Sequence, residues 1–249
     1  IFKIEEKFPL SLQQDYDNSG IQIEGPNLEL SNVIVTLDVT EQSVERAIET
    51  NAQMILSHHP MFFHPLKSIK SGNFRERMIY PIIMNSISVY SAHTNYDAAK
   101  NGLNDLLSEK LEFKDVKPLM KMDDFGNGIG RVGYIRKQPI EEFVNFVKEK
   151  LESDHVKFAP AESRYVEKIA ICSGAGSDLL DSVLSSDVDL YITGDLSYHE
   201  IAKAVQSGLS LIVVDHDETE KSFEDGMIDF ANSFGIKTTK YHERFYWIL

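Results

Sequence analysis

Apolar runs of strand length alternate with helix-like segments along most of this chain, and that alternation limits the folds open to it. Asn32 to Val39 (NVIVTLDV) is rich in β-branched residues and reads as a strand. Thr40 follows as an N-cap, with Glu41 in the first turn and Val44, Ala47 and Ile48 at helical spacing. QMILS (Gln53 to Ser57) is the next strand. A strand, a helix of about ten residues and a second strand make a parallel crossover unit. The pattern goes on with a helix between Asn73 and Asn85, distorted at Pro81, then the strand SISVYSA and a helix from Asn101. A second series opens with the strand GIGRVGYIR and a helix, IEEFVNFVKEKL, with Pro139 at its first turn. It continues through VEKIAICSG, a helix in SDLLDSVLSS, the strand VDLYITG, a helix from Ser197 to Gln206 and the strand LSLIVVD. A last helix starts near Asp217 and ends before Gly235. The expected fold class is α/β: two α/β lobes with mixed or mainly parallel sheets. Residues 1–120 plus 217–249 form the first lobe and 121–216 the second, with the boundary at the polar, glycine-rich KMDDFGNG (Lys121 to Gly128).

Composition excludes several classes of partner. No apolar stretch approaches the roughly 20 residues of a membrane helix. Lys and Arg number 25 against 39 Asp and Glu, a formal net charge of −14, and no basic stripe offsets it. Such a surface repels phosphate backbones, so neither nucleic acid nor a membrane is an expected partner. Cys172 is the single cysteine, inside the apolar run KIAIC. It forms no internal disulfide, it rules out cysteine-based zinc sites, and with no basic-then-apolar leader it points to the cytoplasm.

Ligand-type residues gather where strands stop. QMILS runs into His58 and His59, SVYSA into His93 and Asp97 (HTNYD), and LIVVD into His216 and Glu220 (HDETE). In parallel α/β sheets, ligands collect outside the carboxyl ends of the strands, so three segments deliver His or carboxylate groups to one kind of edge. His216 and Glu220 are four apart at a helix start and project from one face. His58 and His59, at a strand-to-loop turn, can each serve one of two nearby ions. Imidazoles with two carboxylates suit Zn, Mn, Fe or Ni rather than Ca or Mg.

Other candidates read more plainly. His64 is a loop histidine, and His155 and His242 are surface residues without partners at useful spacing. The turn CSGAGSD (Cys172 to Asp178) lacks the lysine and full glycine fingerprint of a phosphate cradle and reads as a tight strand-to-helix turn. In TGDLSYHE, Asp195 and His199 either line the cleft or, for Asp195, cap a helix. No serine sits in a GxSxG elbow, so a Ser-His-Asp triad has no support.

DYDNSGIQI (Asp15 to Ile23), LDVTEQSVERAIETNAQMILSHHPMFF, AHTNYDAAKNGLNDLL, YITGDLSYHEIAKAVQSGLSLIVVD and HDETE stand in that order. Together they resemble the signature blocks of the Nif-three-like dinuclear-metal proteins, often named GTP cyclohydrolase I type two homologues. The resemblance implies a metal site at the carboxyl ends of strands in the cleft between lobes. It gives His59 and Asp97 one ion, His58 and His216 the other, and Glu220 as the bridge. His93 would be a catalytic, proton-transfer group or a residue that supports the ligands from behind, rather than a certain ligand. The family block usually has a glycine before the last histidine, whereas this chain has Asp215, and with Asp217 it bears on metal preference or substrate charge. The short interval from about Lys121 to Glu167 matches the form without an inserted domain.

Two functions follow from the resemblance. One is a dinuclear divalent-metal-dependent hydrolase with two ions per subunit (Zn, Mn, Fe or Ni). It would act through a metal-bound water on a small molecule such as a nucleotide, either GTP cyclohydrolase-like or phosphoesterase-like. The other is a non-catalytic, metal-stabilised scaffold. In both, the chain is expected to self-associate to a homohexamer.

Overall fold

The structure, a computed structural model, describes residues 1–26, 29–153 and 155–246. In chain order the strands are β1 (Gly20–Ile23), β2 (Asn32–Thr36), β3 (Met54–Ser57), β4 (Ser88–Ser91), β5 (Lys114–Lys121) and β6 (Gly128–Pro139). They are followed by β7 (Val156–Ala159), β8 (Tyr165–Cys172), β9 (Leu190–Thr193), β10 (Ser210–Val214) and β11 (Lys237–Lys240). The helices are α1 (Phe2–Lys7), α2 (Glu41–Glu49), α3 (Phe74–Arg77), α4 (Ile79–Met84), α5 (Thr94–Ala98) and α6 (Leu103–Lys110). Then come α7 (Ile140–Leu151), α8 (Leu180–Leu184), α9 (Tyr198–Gln206), α10 (His216–Glu220) and α11 (Ser222–Asn232).

The described chain divides into two compact units: Ile1–Tyr96 with residues 223–246, and Asp97–Ser222. These limits differ from those read off the sequence. Lys121 to Gly128 closes the β5–β6 hairpin inside the second unit, where Asp123 Oδ1 accepts from the N–H groups of Phe125 (2.8 Å) and Asn127 (3.1 Å). A polar, glycine-rich composition suits a tight turn as well as a linker.

The first unit is built on a five-stranded sheet of order β1-β4-β3-β2-β11. β4, β3, β2 and β11 run parallel, and β1 pairs antiparallel with β4. Every residue of β2, β3 and β4 is buried, which is why their centres are apolar without alternation and polar residues stand only at the strand ends. Ile34, Val44, Ala47, Ile55, Ile82 and Val89 form the core on this sheet. Thr40 does cap α2, and its side chain and that of Ser43 form a reciprocal box. The helix expected from Asn73 to Asn85 breaks at Met78, not at Pro81. Pro81 thereby falls in the first turn of α4, where its missing N–H has no helical partner to lose.

The second unit has a six-stranded sheet of order β5-β6-β8-β9-β10-β7. Its centre, β8-β9-β10, is parallel, and its outer strands are antiparallel. Phe143, Val147, Ile169, Leu190 and Ile212 pack one face; Ala170, Leu180, Val183, Tyr191 and Leu211 pack the other. Helices thus cover both faces, and the carboxyl ends of β8, β9 and β10 open on neighbouring loops.

Candidate metal centre

In the first unit, register alone brings three histidines together. Ser57 at the end of β3 pairs with Thr36 of β2 and with Ser91 of β4, so the residues after those strands leave side by side. The ladder carries on past the strands: the N–H groups of His58 and His59 donate to Thr36 O and Leu37 O at 3.1 and 2.9 Å. The Ala92 N–H donates to Ser57 O at 2.9 Å. His58 and His59 therefore enter the turn with their backbones fixed. Ring centroids lie 5.1 Å apart for His58–His59 and for His58–His93, and 5.7 Å for His59–His93. One ring nitrogen from each falls within 4.8 Å of the others, a group able to hold a metal ion.

Each ring is anchored through Nδ1. His58 Nδ1 is 2.9 Å from Ala92 O; a carbonyl only accepts, so Nδ1 carries the hydrogen and the neutral ring has its lone pair on Nε2. His59 Nδ1 lies 2.9 Å from Asp38 Oδ1, and His93 Nδ1 lies 2.8 Å from Asp17 Oδ1. The Asp17 side chain is wholly buried and also accepts from Ser19 Oγ at 2.8 Å, from Thr94 N–H at 3.1 Å and from Thr94 Oγ1. Burial alone would raise this carboxyl. The hydrogen bond and charge of His93, with the hydroxyls of Thr94 and Ser19, outweigh that and hold it well below the usual carboxylate range.

The second unit supplies the remaining candidates. His216 and Glu220 open and close α10, and one helical turn brings His216 Nε2 to 3.1 Å from Glu220 Oε1. His216 Nδ1 is held by Asp195 Oδ2 at 2.6 Å. Asp195 does not cap α9: Ser197 does, in a box with Glu200. Asp97 sits in α5, with its carbonyl accepting from Asn104 Nδ2 (3.2 Å) and its Oδ1 from Ser173 Oγ (3.4 Å). Asn104 Oδ1 accepts the Ser173 N–H at 2.9 Å, which ties the β8 turn to Asp97.

The CSGAGSD turn does more than reverse the chain. Gly174 sits at φ +58, and a Cβ there would stand 2.3 Å from Glu220 Oε1 and 3.2 Å from His216 Nε2. Only glycine leaves this carboxylate its place. Cys172, just before the turn, is no candidate nucleophile. Burial pushes its thiol far above the usual range, and the charges of Asp97 and Glu220 push it further.

Sequence reasoning missed the anchors Asp17 and Asp38. Asp17 lies in a quoted signature block, yet nothing in the pattern links it to His93, 76 residues away. His64 and His155 are exposed and outside both groups, as read. His242 needs correction: it is half-buried, with Nδ1 3.0 Å from Glu224 Oε1 of α11. An anchored imidazole is thus no metal ligand by itself. What sets His58, His59 and His93 apart is their convergence.

Known proteins agree with this architecture. The profile of Duf34/NIF3 (NGG1p interacting factor 3) matches residues 1–242. This chain belongs to the Duf34/NIF3 family. Among its relatives, a "GTP cyclohydrolase 1 type 2 homolog" of Lactococcus lactis is 34% identical over 245 residues, covering 96% of this chain and 93% of its own. One of the same name from Clostridium perfringens is 34% identical, covering 87% of this chain and 84% of its own. Reduced HcgD from Methanocaldococcus jannaschii superposes with a TM-score of 0.83 at 29% identity, covering 96% of this chain and 94% of its own. A Bacillus cereus protein related to NIF3 has the same fold, with a TM-score of 0.87 at 21% identity over 99% of this chain and 97% of its own. Among the described residues of this Duf34/NIF3 chain, no helix is long and apolar enough to cross a membrane.

Proposed function

We propose that this protein is a dinuclear divalent-metal-dependent hydrolase, with His58, His59, Asp97, His216 and Glu220 as ligands and His93 as its proton-transfer group. The observation that carries the reading is the convergence of imidazoles, one ring nitrogen each of His58, His59 and His93 lying within 4.8 Å of the others. Nδ1 of His58, His59 and His216 faces a carbonyl or carboxylate, so Nε2 is the atom each ring would turn to a cation, that of His216 beside Glu220 Oε1. Nitrogen donors with the carboxylates of Asp97 and Glu220 fit Zn, Mn, Fe or Ni.

When bound, divalent ions held by these residues would supply Lewis acidity and make a water more acidic. His93 then takes or returns a proton at Nε2, while Asp17 behind it steadies the charged ring. The name that the relatives carry supports a nucleotide such as GTP as substrate, attacked at its guanine ring; a phosphoester is chemically equivalent for such a site. In a chain of net charge −14, the ions would supply the positive charge a phosphate needs. The lone buried thiol fits a cytoplasmic setting, and the resemblance to the family supports assembly as a homohexamer.

Metal content and turnover test this in one series. Glu220→Gln keeps the size and removes the charge, so the variant should lose at least one metal equivalent by elemental analysis. His64→Ala should match the wild type. Reconstituted protein should turn over GTP or a generic phosphoester faster than His58→Ala. Two full equivalents in Glu220→Gln beside a loss in His64→Ala would overturn the ligand set. No turnover above the His58→Ala control would leave a metal-stabilised scaffold in place of an enzyme.

A further inference from the structure

The first unit brings together more donor nitrogens than its two resemblance-assigned ligands. His58, His59 and His93 all belong to it, and one nitrogen of each lies within 4.8 Å of the other two. Three nitrogens around a tetrahedral ion at about 2.0–2.1 Å stand about 3.4 Å apart, so small side-chain rotations close the group on a cation. Each ring already has its Nδ1 occupied: by Ala92 O, by Asp38 and by Asp17. Such partners fix tautomer and orientation before a metal arrives. Asp17 is the most strongly built of the three, wholly buried and held by Ser19 and Thr94 on its other oxygen. Phe63 stands edge-on to His93, with centroids 5.6 Å apart, and limits how the ring can turn.

We propose that the first unit carries a one-ion site of its own, made by His58, His59 and His93 and oriented at His93 by Asp17, and that it takes up the first divalent cation. Three imidazoles and one open position form the donor set of a hydrolytic zinc-type centre. The proposal rests on the reading that this protein binds divalent metal, and it adds His93 as a ligand in the one-ion state. The proton-transfer role belongs to the fully loaded protein.

Cobalt(II) is the probe, because its visible absorption reports both occupancy and coordination. The full chain carrying Asp97→Asn, His216→Ala and Glu220→Gln together should still bind about one equivalent, with an intense four-coordinate spectrum. Adding Asp17→Asn should weaken that binding by about 10–100-fold, the usual effect of losing such a partner, and adding His93→Ala should weaken it further. If the triple variant does not fold by circular dichroism, the wild type and His93→Ala are compared below one equivalent, where the variant should show the weaker first step. Cobalt binding by the wild type but none by a folded triple variant overturns the proposal, and so does a first step indifferent to His93→Ala. A wild type that takes up no cobalt overturns the proposed function itself, and is thereby told apart.

Discussion

Gly174 illustrates how a single residue conditions the candidate site without touching a ligand of its own. Its left-handed backbone would cost an L-residue about 1–2 kcal/mol, and the added Cβ would stand 2.3 Å from Glu220 Oε1. Gly174→Ala should therefore lower stability by roughly that amount, a melting shift of several degrees at about 2–4 °C per kcal/mol, and also lose metal. Gly208→Ala separates the two effects. Gly208 is at φ +87 with nothing within 4 Å of its would-be Cβ, so that variant should show a backbone penalty with full metal content. Thermal melts and elemental analysis on both proteins check it, and equal metal loss in the two would show that Gly174 does not protect the carboxylate. At this scale the sequence exposes the donors but hides their supports. His58, His59, His216 and Glu220 are legible because local spacing places them at strand ends. Asp38, Asp195 and Asp17 reach their histidines across 21, 21 and 76 residues, and only the register of neighbouring strands brings them there.

Among the elements, those with a buried face were legible and those at the sheet margins were not. The central strands β2, β3, β4, β8, β9 and β10 carry the apolar runs that mark them. β1, β5, β7 and β11 went unread, and these four are the edge strands of the two sheets. Their residues are mostly part-exposed or exposed, and sequences such as KDVKPLMK and KTTK carry the Lys and Pro that suit an edge. Pairing to a neighbour makes them strands; their own pattern does not. Helix starts show the opposite case, because the N-cap is chemistry within one turn. In α2, Thr40 Oγ1 accepts the Ser43 N–H at 3.1 Å, and Ser43 Oγ accepts the Thr40 N–H at 2.8 Å. Thr40→Ala should cost about 1 kcal/mol, read as a lower denaturant midpoint at an unchanged slope. Metal content should stay at the wild-type level, because Asp38 and His59 lie outside the helix. A loss of metal with the cap would mean that α2 helps to orient Asp38.

At the scale of the whole molecule, the surface of the first unit keeps apolar side chains that its own core does not absorb. Phe74, Tyr80, Ile83 and Met84, on α3 and α4, are 57%, 48%, 59% and 82% exposed. Scattered single apolar residues are ordinary on a protein surface; these four stand on two consecutive short helices, where contact between copies would bury them together. A net charge of −14 opposes self-association at long range, so contact between copies would have to come from apolar burial. The resemblance to the family, not the surface itself, sets the expected number: light scattering coupled to size exclusion should give about six chains of 28.3 kDa. Ile83→Lys puts a charge in that surface and should shift the mass to smaller species. A hexamer that survives the change would place the interface elsewhere. A clean monomer at micromolar concentration for the unaltered chain would refute the assembly, and the exposed face of α3 and α4 would then need another partner.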